Sequence, residues 1–235
     1  MRPFVRIFVK DCVDVLDLQP PVVEIGSRPA EEQEEQAYLR DVIGKAPYFG
    51  CDIQTGPNVD FVTDIHHLPF ADGSLGTVVC VEVLEHVFDP IRAVEEIHRV
   101  LRPGGAAVLT SVMFMPIHAH PWDFWRFTPE GFARLLSTFE TSVAFGNGYE
   151  LLPEGVQGVG IKGPHAPLTA ESFPRSHREV MRWGEGWPID FGPMRMTLPL
   201  LWRRTLTETK IGLRERSVPA LRRRAGDLRR RYRER

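Results

Sequence analysis

The chain has 235 residues, 43% of them hydrophobic, which suffices for the core of one α/β domain with an appended tail. Its three cysteines, Cys12, Cys51 and Cys80, are odd in number and widely spaced, so they favour reduced core residues in a cytoplasmic protein over a disulfide framework or a zinc site. The net charge is −2, and no run approaches the ~20 apolar residues of a transmembrane segment or forms a signal sequence, so secretion and membrane insertion are not expected.

The first predicted elements alternate between helices and strands. Apolar residues recur at helical spacing over residues 4–16, and a short apolar strand follows at 22–25 after two prolines. A helix is predicted at 31–43 from its helix formers and closing glycine, and a second strand at 48–52. Strand, helix and strand in this order predict the start of a right-handed βαβ unit.

The alternation continues to the end of a predicted sheet. Five more strands are expected, at 59–63, 77–81, 106–112, 141–146 and 156–161. Asp89 and Pro90 predict the start of a helix that residues 102–105 are expected to end. Its predicted apolar face consists of Ile91, Val94, Ile97, Val100 and Leu101. A further helix is predicted from Thr128 through Leu136. We therefore expect an α/β fold: a Rossmann-like, seven-stranded, mostly parallel sheet with helices on both faces and the last strand antiparallel.

Acidic residues lie at the ends of four of the predicted strands, where open α/β sheets bind their ligands. These residues are Glu24, Asp52, Asp64 and Glu82. A dinucleotide needs a glycine-rich turn, but only Gly26 is present, and Pro29 and the four glutamates at 31, 32, 34 and 35 disfavour a diphosphate. The site suits a cationic ligand without phosphate, such as S-adenosylmethionine (SAM).

Five segments in order resemble the motifs of the class I SAM-dependent methyltransferases, in the branch of ubiquinone-pathway and sterol-type enzymes. The segments lie at 22–26, 50–54, 64–74, 81–87 and 99–105, and the resemblance covers about residues 20–140. Arg28 and Ala30 stand where the family has its second and third glycines.

The resemblance implies SAM as cofactor and a set of binding residues. Glu24 and Gly26, with the adjacent Ser27, are expected near the methionine part, and Asp52 with Ile53 at the ribose. Asp64 and Ile65 are expected at the adenine, and Glu82 and Val83 at the floor of the cofactor site. Taken singly, these acids are better explained as strand-end or cap residues, and only the ordered set of motifs favours a cofactor site.

The segment after the fifth strand, residues 113–130, is dense in imidazole, aromatic and charged groups. We expect the acceptor of the methyl group here, with His118 or His120 as general base and Asp123 as an orienting group or a replacement base. Trp122, Trp125 and Phe127 provide a predicted apolar wall. The ordinary alternative is that Trp125 and Phe127 are core residues, that Arg126 pairs with an acid and that Thr128 caps a helix.

A metal-dependent alternative comes from the spacing of Glu82, Glu85 and His86. If this segment turns helical, the three side chains share a face, and with His118 or His120 they form a ligand set for a divalent ion. The competing interpretation makes His86 a packed, hydrogen-bonded residue, and we assign no metal ligand from the sequence.

The predicted function is methyl transfer from SAM to oxygen or nitrogen of a small-molecule or glycan acceptor. A metal-dependent RNA methyltransferase and a non-catalytic SAM-binding protein are the alternatives. The methyltransferase domain is expected to span residues 1–202 and a basic tail residues 203–235, which hold 13 Lys/Arg against 4 Asp/Glu. The tail is compatible with a basic helix on an anionic membrane surface or nucleic acid, and equally with a solvated, frayed end.

Overall fold

The computed structural model describes residues 2–29, 39–178, 180–181, 188–191 and 194–197. The chain divides into two compact units, Met1–Arg182 and Trp183–Arg235. Within the second unit, strands Pro188–Phe191 and Met194–Thr197 pair antiparallel. The tail at 203–235 and most of the predicted helix at 31–43 lie outside the described residues, so the predicted domain boundary at residue 202 and the partners of the tail stay predictions.

One sheet organises the first unit and confirms the predicted fold class. Its order is β3-β2-β1-β4-β5-β7-β6-β8, with parallel pairing from β3 through β5 and with β7 antiparallel to both β5 and β6. The short β8 adds an eighth strand to the seven predicted ones. The strands are β1 (Val22–Ile25), β2 (Tyr48–Asp52), β3 (Phe61–Val62), β4 (Leu75–Val81), β5 (Leu101–Val112), β6 (Thr141–Tyr149), β7 (Leu152–Ile161) and β8 (Val180–Met181).

Two apolar layers cover the two faces of the sheet. The helices are α1 (Pro3–Val15), α2 (Arg40–Ile43), α3 (Pro90–Val100), α4 (Pro129–Leu135) and α5 (Pro174–Arg178). On one face α1 contributes Phe8 to a cluster with Val79 and Phe145, and on the other α3 contributes Ile97 to a cluster with Val78 and Phe132. The sheet is therefore closed to water on both faces, and ligands reach it at its edge.

Local sequence signals explain where the helices begin. The Asp89 carboxylate accepts a hydrogen bond from the Arg92 amide at 3.0 Å and caps α3, and the Thr128 hydroxyl accepts one from the Gly131 amide at 3.0 Å and caps α4. Pro90 and Pro129 follow these caps at the first helical position, where a backbone N–H would have no partner, so that proline costs the helix no hydrogen bond. Both predicted helix starts are confirmed.

Three predicted details were wrong. β3 is limited to Phe61–Val62 and is exposed, because it lies at the sheet edge. β5 begins at Leu101 and not at Ala106: Leu101 pairs with Leu75 of β4, residues 102–105 form an irregular insertion, and regular pairing resumes at Ala106 opposite Thr77. Ile91 was predicted on the buried face of its helix but is 64% exposed, since it lies in the first turn beyond the edge of the core.

All three cysteines are buried and unpaired, as predicted. Burial raises the pKa of Cys51 to about 12 and the pKa values of Cys12 and Cys80 well above their usual range. These thiols are packing residues. No described helix combines the length and the apolarity needed to cross a bilayer.

Candidate active site

The four predicted acids lie at or just after the carboxyl ends of the parallel strands. β1 pairs in parallel with β2 on one side and β4 on the other, so that Ile25 lies level with Cys51 and Cys80. Asp52 is the last residue of β2, and Glu82 follows β4. The parallel register brings the residues after these strands together, as the sequence predicted.

The turn after β1 is tight and depends on Gly26. This residue has φ +75°, and its amide donates to the Cys51 carbonyl at 2.8 Å. The Ser27 hydroxyl donates to the Asn58 carbonyl at 2.9 Å and is buried. A Cβ atom on Gly26 would lie 2.2 Å from Cγ2 of Val83, so this turn packs directly against the residues that follow β4.

Glu24 is buried and paired with Tyr48. Its carboxylate is 5% exposed and accepts a hydrogen bond from the Tyr48 hydroxyl at 2.6 Å. Burial raises the pKa of Glu24 to about 7, although the Tyr48 hydrogen bond and the charge of Arg40 oppose the shift. Its predicted place near the methionine part stays a prediction, and its described partner is Tyr48.

The buried Glu24 makes folding stability depend on pH. Its pKa is near 4.5 when unfolded and about 7 when folded, so the folded state binds more protons between these values. The contribution of Glu24 to stability is complete below about pH 4.5 and is lost as the pH rises through about 7, by at most about 3 kcal/mol. We expect Glu24→Gln to unfold at higher urea concentration than the parent protein at pH 8, with the advantage shrinking toward pH 5.

A second buried acid requires a matched comparison in this experiment. Burial and the charge of Glu82 also raise the pKa of Glu85 to about 7, but this contribution is common to parent and variant and cancels in the difference. Glu95→Gln, an exchange at an exposed site on α3, serves as control and should show no such pH trend. An equal effect of both exchanges at every pH would contradict the assignment to Glu24.

The residues after β2 and β3 are more open. Asp52 accepts a hydrogen bond from the Gln54 amide at 2.9 Å, and the next side chain, Ile53, is 68% exposed. Asp64 accepts from the backbone amide and the imidazole of His66, which outweigh desolvation and lower its pKa, so the carboxylate is ionised. Ile65 beside it is buried in the core. The roles predicted for these residues stay predictions.

Glu82 connects the edge of the sheet to the start of α1. Its backbone is in the left-handed region at φ +56°, which is strained for a residue with a Cβ atom. The Arg2 guanidinium forms an ion pair with its carboxylate, and the Thr110 hydroxyl donates to the other oxygen at 3.1 Å. Arg2 and Thr110 therefore hold the Glu82 carboxylate, whereas the carboxylate of Glu85, three residues later, bonds to Ser111.

Glu85, His86 and His118 form a cluster beyond the ends of β4 and β5. Each offers one metal-ligand atom, and these three atoms lie within 4.8 Å of one another. Glu85 is fully buried, and Ser111 donates to its Oε2 at 2.6 Å. The rings of His86 and His118 meet edge to face with centroids 4.7 Å apart. We refer to these three residues as the His–Glu cluster.

The loop after β5 is organised around Asp123. Two nitrogens of Arg126 donate to its two oxygens at 2.6 and 2.8 Å, and the His118 amide donates at 2.8 Å. The Arg126 guanidinium holds the pKa of Asp123 well below its usual range. Asp123 therefore contacts His118 and is a weak base, and its predicted role stays a prediction.

The two predicted histidines have different surroundings. His118 joins the His–Glu cluster, whereas His120 is exposed, and among the described residues no hydrogen bond or ion pair connects it to that cluster. The sequence placed His86 only in the metal-dependent alternative, through its Glu-x-x-Glu-His pattern. Arg2 was missed, and its 80-residue separation from Glu82 leaves no local signal.

An apolar groove of about 640 Å³ extends beside the loop, between α3 and α4. Phe88, Ile91, Trp125 and Phe127 contribute to its lining. The Trp125 indole donates to the Val87 carbonyl at 2.8 Å, and Phe127 is a core residue, as its ordinary interpretation held. Trp125 and Phe127, which were predicted as part of an apolar wall, therefore line this groove as well as packing against the protein.

Comparison with known proteins agrees with this architecture. A family profile described as "Methyltransferase domain" matches residues 15–109. A probable S-adenosylmethionine-dependent methyltransferase of Mycolicibacterium smegmatis is 33% identical over 101 residues, which cover 42% of this chain and 37% of that protein. The human thiol S-methyltransferase TMT1B is 45% identical over 58 residues, which cover 24% of this chain and 21% of that protein. The matches thus span well under half the length of these curated relatives.

A solved structure establishes the likeness of fold. A SAM-dependent methyltransferase from Archaeoglobus fulgidus superposes with a TM-score of 0.53 at 15% identity, covering 69% of this chain and 95% of that one. The fold and the family imply SAM as the cofactor, and the predicted ubiquinone and sterol-type branch fits the matched profile. The profile match over residues 15–109 and the sheet order thus show a methyltransferase domain with the fold of the class I SAM-dependent methyltransferases.

Proposed function

We propose that the protein transfers the methyl group of SAM to an oxygen or nitrogen atom of a small-molecule or glycan acceptor. The observation that carries the proposal is the position of the His–Glu cluster, which lies beyond the ends of β4 and β5, next to the strand ends that carry Gly26 and Val83. Cofactor-side residues and proton-handling groups therefore meet at one edge of the sheet.

The open strand ends fit a cationic nucleoside. Asp52 has carboxylate lone pairs left for a ribose diol, since its one short hydrogen bond is that from Gln54 and the Arg28 amide lies 3.4 Å away. Ile53, beside Asp52, offers an exposed apolar surface to the nucleoside. When bound, SAM supplies an already activated methyl carbon, so the protein has to align the acceptor and assist its loss of a proton.

The loop after β5 supplies the acceptor side. An acceptor hydroxyl or amine above the sheet edge would meet the His–Glu cluster, while the groove at Trp125 and Phe127 would take an apolar part of the same molecule. Asp123 holds this loop in place through Arg126. The proposal thus assigns cofactor binding, acceptor binding and proton removal to residues of the first unit.

Calorimetric titration with SAM and with S-adenosylhomocysteine tests the cofactor part of the proposal. We expect Asp52→Asn to weaken SAM binding by about 10- to 100-fold, because the exchange removes a hydrogen bond to a charged group. The control is Glu130→Gln, which removes the same charge from an exposed site on α4 and should leave the affinity unchanged. If the parent protein binds neither compound, the proposed function is wrong.

Transfer of a radiolabelled methyl group to panels of sugars, phenols, amines, thiols and RNA tests the acceptor class. Labelling of a sugar, phenol or amine would support the proposal. Labelling of RNA alone would favour the nucleic-acid alternative, and labelling of thiols alone would overturn the assignment to oxygen or nitrogen. SAM binding without labelling of any acceptor, together with unchanged cellular function of a His86→Ala/His118→Ala variant, would favour the non-catalytic alternative.

A further inference from the structure

We propose that Glu85, His86 and His118 bind a divalent first-row transition-metal ion that leaves one coordination position open toward the acceptor. The site comes from two segments, the 3₁₀ turn Leu84–His86 after β4 and the loop after β5. Its role in methyl transfer rests on the proposed function, but metal binding itself does not and is testable without SAM.

The first support is the state of Glu85. This side chain is fully buried, and while Oε2 accepts from Ser111, Oε1 has no hydrogen-bond partner among the described residues. A buried carboxylate with an unsatisfied oxygen is costly unless a cation or a donor compensates it. The nearby cations are engaged, because Arg2 pairs with Glu82 and Arg126 with Asp123.

The second support is the hydrogen bonding of the two imidazoles. Nδ1 of His86 lies 2.6 Å from the Trp122 carbonyl oxygen, which only accepts, so this nitrogen carries the proton. Nδ1 of His118 lies 3.2 Å from the Pro116 carbonyl and 3.4 Å from a carboxylate oxygen of Asp123, which requires the same tautomer. Nε2 of each neutral ring then keeps its lone pair, as in histidine ligands whose other nitrogen donates to a carbonyl or carboxylate.

The cluster therefore brings together three electron-pair donors. Two imidazole nitrogens and a carboxylate oxygen cannot satisfy one another's lone pairs, whereas an ion between them would satisfy all three. Ligands about 2.1 Å from a tetrahedral ion lie about 3.4 Å apart. A closing movement of about 1.4 Å from the present limit of 4.8 Å, within the reach of side-chain rotation, would form the site.

The ligand types select the metal. Two imidazoles with one carboxylate suit Zn²⁺ and its first-row neighbours, whereas Mg²⁺ and Ca²⁺ prefer oxygen ligands. An acceptor hydroxyl at the open position would lose its proton to solvent more readily. Its oxygen lone pair then forms the bond to the methyl carbon as the carbon–sulfur bond breaks and leaves its electron pair on sulfur. His118 acts in this arrangement as a ligand and not as the base that the sequence suggested.

The test is titration of chelator-treated full-length protein with ZnCl₂, and with CoCl₂ followed by visible absorption. We expect one tight site per chain, tetrahedral Co²⁺ absorption, and at least 100-fold weaker binding in His86→Ala and His118→Ala. His120→Ala is the matched control, because it removes an exposed histidine from the same loop, and it should bind as the parent does. Circular dichroism establishes that each variant is folded.

Two results would overturn the inference. In the first, the parent protein binds the metal ion no more tightly than a His86→Ala/His118→Ala double variant does. In the second, the double variant still binds one ion per chain tightly. SAM titration of the metal-free protein is a separate readout, so a failure of the proposed function is distinguishable from a failure of the metal site. Activity that survives chelation in a protein without metal binding would assign the cluster to proton transfer.

Discussion

Gly26→Ala is expected to destabilise the protein by about 2–4 kcal/mol and to reduce SAM affinity at least tenfold. The added Cβ would lie 2.2 Å from Cγ2 of Val83, where atoms cannot overlap, and φ +75° adds the strain of a left-handed residue. Relief of the clash would push the turn after β1 away from the residues after β4, and the cofactor is expected between them. Urea unfolding and calorimetric titration with SAM measure the two effects.

Two further variants separate the clash from the backbone strain. Gly44→Ala places a Cβ at φ +61° with nothing within 4 Å, so it should cost only about 1 kcal/mol. In Gly26→Ala/Val83→Ala the clashing methyl group is gone, and the double variant should be more stable than the sum of the single effects predicts, by at least about 1 kcal/mol. Additive effects of the two exchanges, or equal costs at Gly26 and Gly44, would refute the packing argument.

Asp123→Ala is expected to lower the free energy of unfolding by about 3 kcal/mol and the rate of methyl transfer by 10- to 100-fold. The side chain is 1% exposed and holds both Arg126 and the His118 amide, so its removal leaves a guanidinium without its partner and frees the loop after β5. Because Arg126 keeps the pKa of Asp123 low, the carboxylate stays ionised, and the stability difference should persist from pH 8 down to about pH 4.

A second aspartate–arginine pair provides the matched control. Asp72 bonds to Arg99 in a similar ion pair, but its side chain is 82% exposed. Asp72→Ala should therefore cost less than about 1 kcal/mol and leave transfer unaffected. If both exchanges have the same small effect on unfolding and on rate, Asp123 does not organise the loop.

Local patterns predicted what is local in this fold. β1 and β2 have the predicted bounds, because a short apolar run that follows a proline favours a strand in a chain whose predicted elements alternate between strands and helices. The caps at Asp89 and Thr128 depend on neighbours within three residues. The start of β5 was misplaced because its Arg-Pro-Gly-Gly segment has turn composition and is an irregular insertion, while the pairing of Leu101 with Leu75 of β4 begins the strand before it.

The parts of the site that the sequence did not specify depend on distant contacts. The hydrogen bond between Glu24 and Tyr48, 24 residues away, has no local sequence signal. His86 meets His118 only because the parallel pairing of β4 and β5 brings their ends together. No periodicity within either segment carries this information.

The three buried thiols have a practical consequence for following the site in solution. Since Cys12, Cys51 and Cys80 are inaccessible and raised in pKa, the folded protein should react slowly with maleimides and offer no thiolate to added Zn²⁺. A cysteine introduced as Ile117→Cys, at a side chain that is 77% exposed in the loop beside His118, would then be the preferred site of labelling. A fluorophore there would report loop movement as cofactor, acceptor or metal is added, without removal of any native cysteine.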